Sequence, residues 1–210
     1  MSHSVVQFQN PISASRFERV AIEPLTSRWR IAEIAGRLVE VSGLEATAAL
    51  TLAFALVLEA QRLGEPVAWI TPVESSFYPP DAAEGGVDLD ALVVIRIPEA
   101  RVMARVADRL ARSGGFGLIV LDLGAQVEVP TPLQARLAGL AQKHHAIVLC
   151  LKEKASTAPS LGSLVSLRVH AQRRRAPEGG FACELAVLKD KRRGPTWAHA
   201  EACRGPAGVR

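Results

Sequence analysis

GRLVEVSGLEATAALTL, residues 36–52, is the stretch on which the fold turns. A buried strand from Leu38 to Val41 runs into a glycine-bearing turn and then into a strongly apolar helix. That strand–loop–helix order is the setting a phosphate-cradling loop requires. A working loop reads G-x-x-x-x-G-K-[ST], whereas residues 43–50 read Gly43-Leu44-Glu45-Ala46-Thr47-Ala48-Ala49-Leu50. Ala48 stands for the second glycine, Ala49 for the lysine and Leu50 for the metal-holding hydroxyl. The lysine neutralises the β/γ-phosphates and the hydroxyl ligates the metal that shares their charge. A helix N-terminus by itself offers an exposed anion only about 0.3–1 kcal/mol. Glu45 adds a negative charge at the mouth, and Thr51 sits one position late for the metal. The loop predicts a nucleotide-fold architecture with no hydrolysis, no cofactor and no bound metal.

The rest of the composition fits a globular chain. At 210 residues there is length for one sizeable domain with a real core. Apolar residues make up 49% and charged residues 22%, which excludes a disordered body. The start, MSHSVVQFQNP, shows neither the basic residues nor the apolar run of a secretory signal. The longest apolar run, 46–58, is broken by Thr47 and Thr51 and is too short to span a bilayer, so no membrane partner is expected. Cys150, Cys183 and Cys203 form no C-x-x-C pair and predict reduced thiols in a cytoplasmic protein. Charge is uneven: residues 168–210 carry net +6 where the whole chain carries +4, leaving −2 for residues 1–167. A basic C-terminal section predicts an acidic partner, either nucleic acid or an acidic protein face.

Along the chain, strands and helices alternate. Strands are expected at 37–42, 67–71, 91–97, 117–122 and 146–151, and helices at 46–63, 98–113 and 131–144. Residues 72–88, rich in Pro, Gly and Ser, read as a loop. Two late strands, 164–172 and 181–188, read as a hairpin joined by 173–180. The fold class is therefore α/β, a mostly parallel twisted sheet flanked by helices with an antiparallel edge hairpin. The expected divisions are an N-terminal segment 1–35, a core domain 36–191 and a basic flexible C-terminal tail 192–210.

These segments together resemble the P-loop ATPase core of the RecA recombinases over about residues 36–195. Gly36 to Val41 followed by Gly43 and Glu45 is similar to that family's GRIVEIYGPE. Gly86-Val87-Asp88-Leu89-Asp90-Ala91-Leu92 is similar to its GVDIDNL. Leu110-Ala111-Arg112-Ser113-Gly114 followed by Leu118-Ile119-Val120-Leu121-Asp122 resembles the LARSG helix end and the Walker B strand. Gly162-Ser163-Leu164 through Arg168, and Val187 through Lys191, are similar to its two late strands. The departures are equally specific. The Walker A loop is degenerate. The nearest candidate for the catalytic glutamate, Glu74, is one residue out of step in a proline-bearing loop. The polar sensor falls near Lys152-Glu153-Lys154, and the segment for DNA-binding loops is shortened to 123–129.

Reduced RecA-like chains of this size resemble the ImuA proteins of bacterial mutagenesis cassettes. That resemblance implies a non-catalytic adaptor of the DNA-damage (SOS) response. Its implied partners are RecA and the error-prone polymerase components of such a cassette, and its implied role is translesion synthesis and SOS mutagenesis. The SulA-type division inhibitors share the reduced core and give one alternative; an independent DNA-binding RecA-like ATPase gives another.

Candidate residues follow from these readings. Asp122 occupies the Walker B position and is expected as a relic. Arg101, Arg105, Arg109 and Arg112 recur on one helical face, with Val102, Val106 and Leu110 as the buried stripe beside them. They are read either as a solvated face or as a docking face for an acidic partner. Arg173, Arg174 and Arg175, with Lys189, Lys191, Arg192 and Arg193, are expected to lie close together, and are read as meeting DNA phosphates, an acidic protein surface or solvent alone. No aromatic platform accompanies them. His144-His145 have no further ligand at metal spacing. Ser75, Ser76 and Cys150 lack a recognisable base. Trp29, Phe54 and Trp69 are expected in the core, and Trp197, in the tail, as an interface anchor.

Overall fold

The computed structural model describes residues 28–44, 47–75, 77–175 and 180–203. Residues 1–27 of the expected N-terminal segment 1–35, Glu45, Ala46, Ser76, residues 176–179 of the hairpin connection 173–180 and the last residues 204–210 lie outside the described residues.

A short helix α1 (Ile31–Ile34) leads into β1 (Arg37–Gly43), which is buried along its whole length. Helix α2 (Ala49–Arg62) follows, then β2 (Val67–Pro72), α3 (Pro79–Glu84) and β3 (Leu92–Ile97). A 3-10 turn (Ala100–Val102) opens α4 (Met103–Ser113), and β4 (Leu118–Asp122), α5 (Thr131–His144) and β5 (Ile147–Glu153) complete the alternating part. Then come β6 (Leu167–Arg175), β7 (Phe181–Asp190) and β8 (Ala198–Cys203). The eight strands form one sheet in the order β3-β2-β4-β5-β1-β6-β7-β8. Strands β1 to β6 pair in parallel, and β7 and β8 pair antiparallel at one edge.

Alternation along the strands divides the core between two faces. Val39, Val41, Trp69, Val120, Leu149, Val169 and Leu185 point to one face, where α2 packs with Leu52, Phe54 and Leu56. Leu38, Ile70, Ile119, Leu121, Val148 and Cys150 point to the other, under α4 and α5. The first face holds an aromatic trio: Phe54 stacks on Trp69 at 5.0 Å between centroids, and Phe77 lies 5.1 Å from Trp69. Trp29 joins this side, its indole N–H donating to Leu52 O at 3.1 Å. Trp29, Phe54 and Trp69 are core residues.

The structure departs from the sequence reading in four places. The loop 72–88 contains α3, which two prolines at its first positions start by fixing φ. The buried stripe of α4 is Met103, Ala104, Ala107, Asp108 and Ala111, while Val102, Val106 and Leu110 are half-buried. Small alanines let that helix lie close on the sheet, which rotates the larger residues to its flank. Residues 192–203 are not a tail: Gly194 turns the chain with φ 74 and β8 adds to the sheet against β7. Trp197 is accordingly buried among the core residues and not presented as an anchor.

Candidate functional site

In an open parallel sheet, ligands sit beyond the carboxyl ends of the strands where the order of connection reverses. Here that corner lies after β1, between β5 and β6, and it contains Gly43, Leu44 and residues 47–50. Thr47 turns its side chain back onto the ends of β1 and β6. Thr47 Oγ1 donates to Ala171 O at 3.1 Å and accepts from the Ala49 N–H at 3.2 Å. Gly43 makes room for it: a Cβ there would lie 1.9 Å from Thr47 Oγ1. The Ala49 amide, one of those a phosphate would need, therefore has a threonine hydroxyl as its partner. Ala48 and Ala49 are buried, and Leu50 packs against the core where a metal ligand would stand. Thr51, one position late, is exposed on α2.

Neighbouring polar groups at this end of the sheet are also turned inward. Asp122, at the end of β4, accepts from Thr71 Oγ1 at 2.9 Å. Burial pushes its carboxyl above the ordinary aspartate range, and the Thr71 hydroxyl offsets this only in part. Ser42 Oγ donates to Val169 O at 3.2 Å and lies 3.2 Å from His170 Nδ1. Burial, and then the nearby Arg168, lower the pKa of His170. Lys152 donates to Ala125 O at 2.9 Å and Val127 O at 2.8 Å, pinning the loop after β4. Its side chain is 1% exposed, and burial lowers its pKa despite Glu128 at 3.7 Å. Lys154 donates to Pro159 O at 2.7 Å and lies 2.7 Å from Glu40 Oε1, with Arg168 3.3 Å from that same oxygen. Ser160 Oγ and the Leu161 N–H donate to the other Glu40 oxygen at 2.9 and 2.7 Å. The two lysines nearest the loop are thus committed to carbonyls and a buried carboxylate. Glu74, the nearest catalytic candidate, is exposed in the loop after β2. Burial and the Glu40 carboxylate push the Cys150 thiol up to about 12, so it is inert.

The two basic clusters do not meet. Arg173 pairs with Cys183 and Arg168 with Lys189, which sets the clusters at opposite ends of the β6–β7 hairpin, roughly 20 Å apart by strand rise. Their environments differ as well. Arg173 stacks over the Phe181 ring at 4.7 Å, Arg174 pairs with Glu184 at 3.0 Å, and Arg175 is exposed. Lys189 and Lys191 both donate to Ser163 O, at 3.3 and 2.6 Å. Arg192 donates to Ala35 O and Gly36 O at 3.0 and 3.2 Å, and Arg193 pairs with Glu33. This second cluster fastens the end of β7 to the approach to β1.

Sequence reasoning missed the centre of that fastening, Asp190. Its Oδ1 lies 2.6 Å from Arg37 Nη2, both side chains 1% exposed, and its Oδ2 accepts from Trp197 Nε1 at 3.0 Å. The Arg192 N–H adds a donor at 2.9 Å. Burial raises the Asp190 carboxyl, but Arg37, Trp197 and the Arg192 amide outweigh it and hold the group at about 2. The available signal was Arg37 and Glu40 inside an otherwise apolar strand.

In the turn before α4, Arg101 pairs with Glu99 at 2.8 Å, and on α4 Arg112 pairs with the buried Asp108 at 3.2 Å. Arg136 of α5 reaches the same carboxylate at 2.5 Å. Arg105 and Arg109 are exposed and form no ion pair among the described residues. His144 packs its ring against Gly114, where a Cβ would meet its Nδ1 at 2.8 Å. Among the described residues no group of His, Cys, Asp and Glu is placed to hold a metal ion, and no helix is long and apolar enough to cross a membrane.

Comparison with known proteins gives one consistent relationship. The profile of the family described as RecA N-terminal domain matches residues 31–148. Protein RecA of Fusobacterium nucleatum subsp. nucleatum is 38% identical over 87 residues, covering 41% of this chain and 23% of that protein. Protein RecA of Teredinibacter turnerae is 36% identical over 110 residues, 52% of this chain and 31% of its own length. That of Thermotoga petrophila is 33% identical over 133 residues, 54% and 37% respectively. The chain thus spans well under half the length of the curated relatives it matches.

Proposed function

The chain belongs to the RecA N-terminal domain family, and from that premise we propose that it is a non-catalytic adaptor of the DNA-damage (SOS) response. In this reading it binds and modulates RecA and supports error-prone translesion synthesis with the polymerase components of a mutagenesis cassette. The observation that carries the reading is the altered nucleotide corner. Thr47 holds the Ala49 amide, and Ala48, Ala49 and Leu50 stand where a glycine, a lysine and a metal ligand would be. Lys152 and Lys154, the cations nearest by, are held by backbone carbonyls. A fold kept without its chemistry favours a role in recognition over turnover.

The physical route to modulation is heterologous association. A protein that assembles head to tail offers one face to the next subunit and receives another. A related protomer without a working nucleotide site can occupy one such position and stop growth. The test is RecA-catalysed strand exchange at saturating ATP with increasing amounts of this protein. The expected outcome is inhibition, or stabilisation of existing filaments, with the two proteins co-sedimenting and no change in the apparent KM for ATP. Full-length protein that neither binds RecA nor alters its filaments removes the reading and favours a division-inhibitor role.

A further inference from the structure

Strand β8 ends the sheet, and among the described residues it has a neighbouring strand, β7, on one side only. A strand at an edge pairs the N–H and C=O groups of alternate residues with its one neighbour, and the other half are aimed away from the sheet. Proteins commonly blunt such an edge with a lysine, a proline or a bulge. Residues 198–203, Ala-His-Ala-Glu-Ala-Cys, contain neither lysine nor proline. Their pairing with β7, from Ala186–Ala198 to Phe181–Cys203, runs without a register shift, whereas the β6–β7 ladder shifts at Arg168/Val169.

Side chains along this edge fall into two rows. His199 and Glu201 lie opposite Leu185 and Cys183, on the core side that α2 covers, and are half-buried. Ala198, Ala200 and Ala202 form the other row and are exposed. Within the first row His199 Nε2 and Glu201 Oε2 are 3.3 Å apart.

The order of these residues is complementary to itself when reversed. In an antiparallel pair of two β8 strands centred on Ala200, His199 of each copy faces Glu201 of the other, and Ala198 of each faces Ala202 of the other. One twofold axis thus sets acid against base twice on one face and small side chain against small on the other. The two nearest registers that keep the faces aligned centre on His199 or on Glu201 and put like side chains against each other, which is unfavourable.

We propose that β8 is a self-association edge, where two copies of this chain join β8 to β8, antiparallel and centred on Ala200, into one continuous sheet. Such a contact uses the same patch on both subunits and closes on itself, so it gives a dimer and not a filament. A second copy is the occupant because the complementarity lies within the six residues themselves. The outward N–H and C=O groups supply the attraction, and the charge order selects the register. The inference goes beyond the adaptor reading and does not depend on it.

Cysteine cross-linking and sedimentation of the full-length chain test it. Directly opposed residues have Cα atoms about 4.5–5.5 Å apart, within disulfide reach. Ala200→Cys should therefore give a cross-linked dimer under mild oxidation. Ala198→Cys and Ala202→Cys should cross-link only when mixed with each other. The wild-type chain, whose Cys203 lies opposite the copy's Trp197 position, should give none. In sedimentation the wild type should move from the monomer mass toward twice that mass at about 100 µM, as befits so small an interface. Ala200→Lys sets two ammonium groups against each other at the axis and should weaken the dimer at least tenfold, with the melting temperature unchanged. A wild-type chain that stays monomeric at about 1 mM, a dimer that Ala200→Lys leaves intact, or equal cross-linking by Ala198→Cys alone would overturn the proposal. A monomer that instead captures an unrelated strand peptide, blocked by Ala200→Lys, would overturn the second copy as occupant.

Discussion

The end of the sheet near β1 and the crest of α4 carry the same kinds of residue and put them to opposite uses. At the sheet, Arg37, Glu40, Lys152, Arg168 and Asp190 are buried and spend their hydrogen bonds on one another and on the backbone. On α4, Arg105 and Arg109 face solvent and form no ion pair among the described residues. The difference teaches that charge in this chain belongs to the interior as readily as to the surface. In the basic C-terminal section Lys189, Lys191, Arg192 and Arg193 lie nearer the surface, yet each also holds parts of the protein together.

The sharpest way to break this comparison is to remove an inward charge. Asp190→Ala leaves Arg37 buried without its carboxylate and deprives the Trp197 indole of its acceptor. It should cost about 3–5 kcal/mol in urea unfolding. A loss below about 1 kcal/mol would mean that β7 and β8 are not fastened as described.

Acid offers a smaller effect with a definite sign. Asp190 is held at about 2 in the folded chain, against about 3.9 when unfolded. Its contribution is complete above the unfolded value and is lost as pH falls through the folded one, so the loss lies between about pH 4 and pH 2. It should amount to about 2 kcal/mol and be missing from Asp190→Asn, which checks the assignment. The smallest effect belongs to the outward set: Arg105→Ala and Arg109→Ala should each change stability by no more than about 0.5 kcal/mol.

Much of this was legible in the sequence for physical reasons. Continuous apolar runs such as Leu118–Leu121 and Ile147–Leu151 can only be strands buried on both faces, and they are. The altered loop was readable because each lost group in Gly43–Leu50 has a defined chemical task. The engagement of the Thr47 hydroxyl was not, since its acceptor Ala171 lies far along the chain. Strand β8 was hidden because AHAEAC alternates small residues with polar ones, and its stability comes from pairing with β7. Trp197 followed the same logic: its partner Asp190 lies across a turn that its own neighbours do not announce. The α4 stripe was misplaced because size was taken as the sign of burial, while alanines made the contact.

The central claim, that the nucleotide corner is closed to chemistry, is tested most directly by ATP binding and turnover. Calorimetry with magnesium and ATP, and phosphate release with and without single-stranded DNA, should show no saturable binding below about 1 mM, an affinity worth about 4 kcal/mol, and no turnover above background. DNA-stimulated hydrolysis that disappears in Asp122→Ala would contradict the account and make this chain an enzyme.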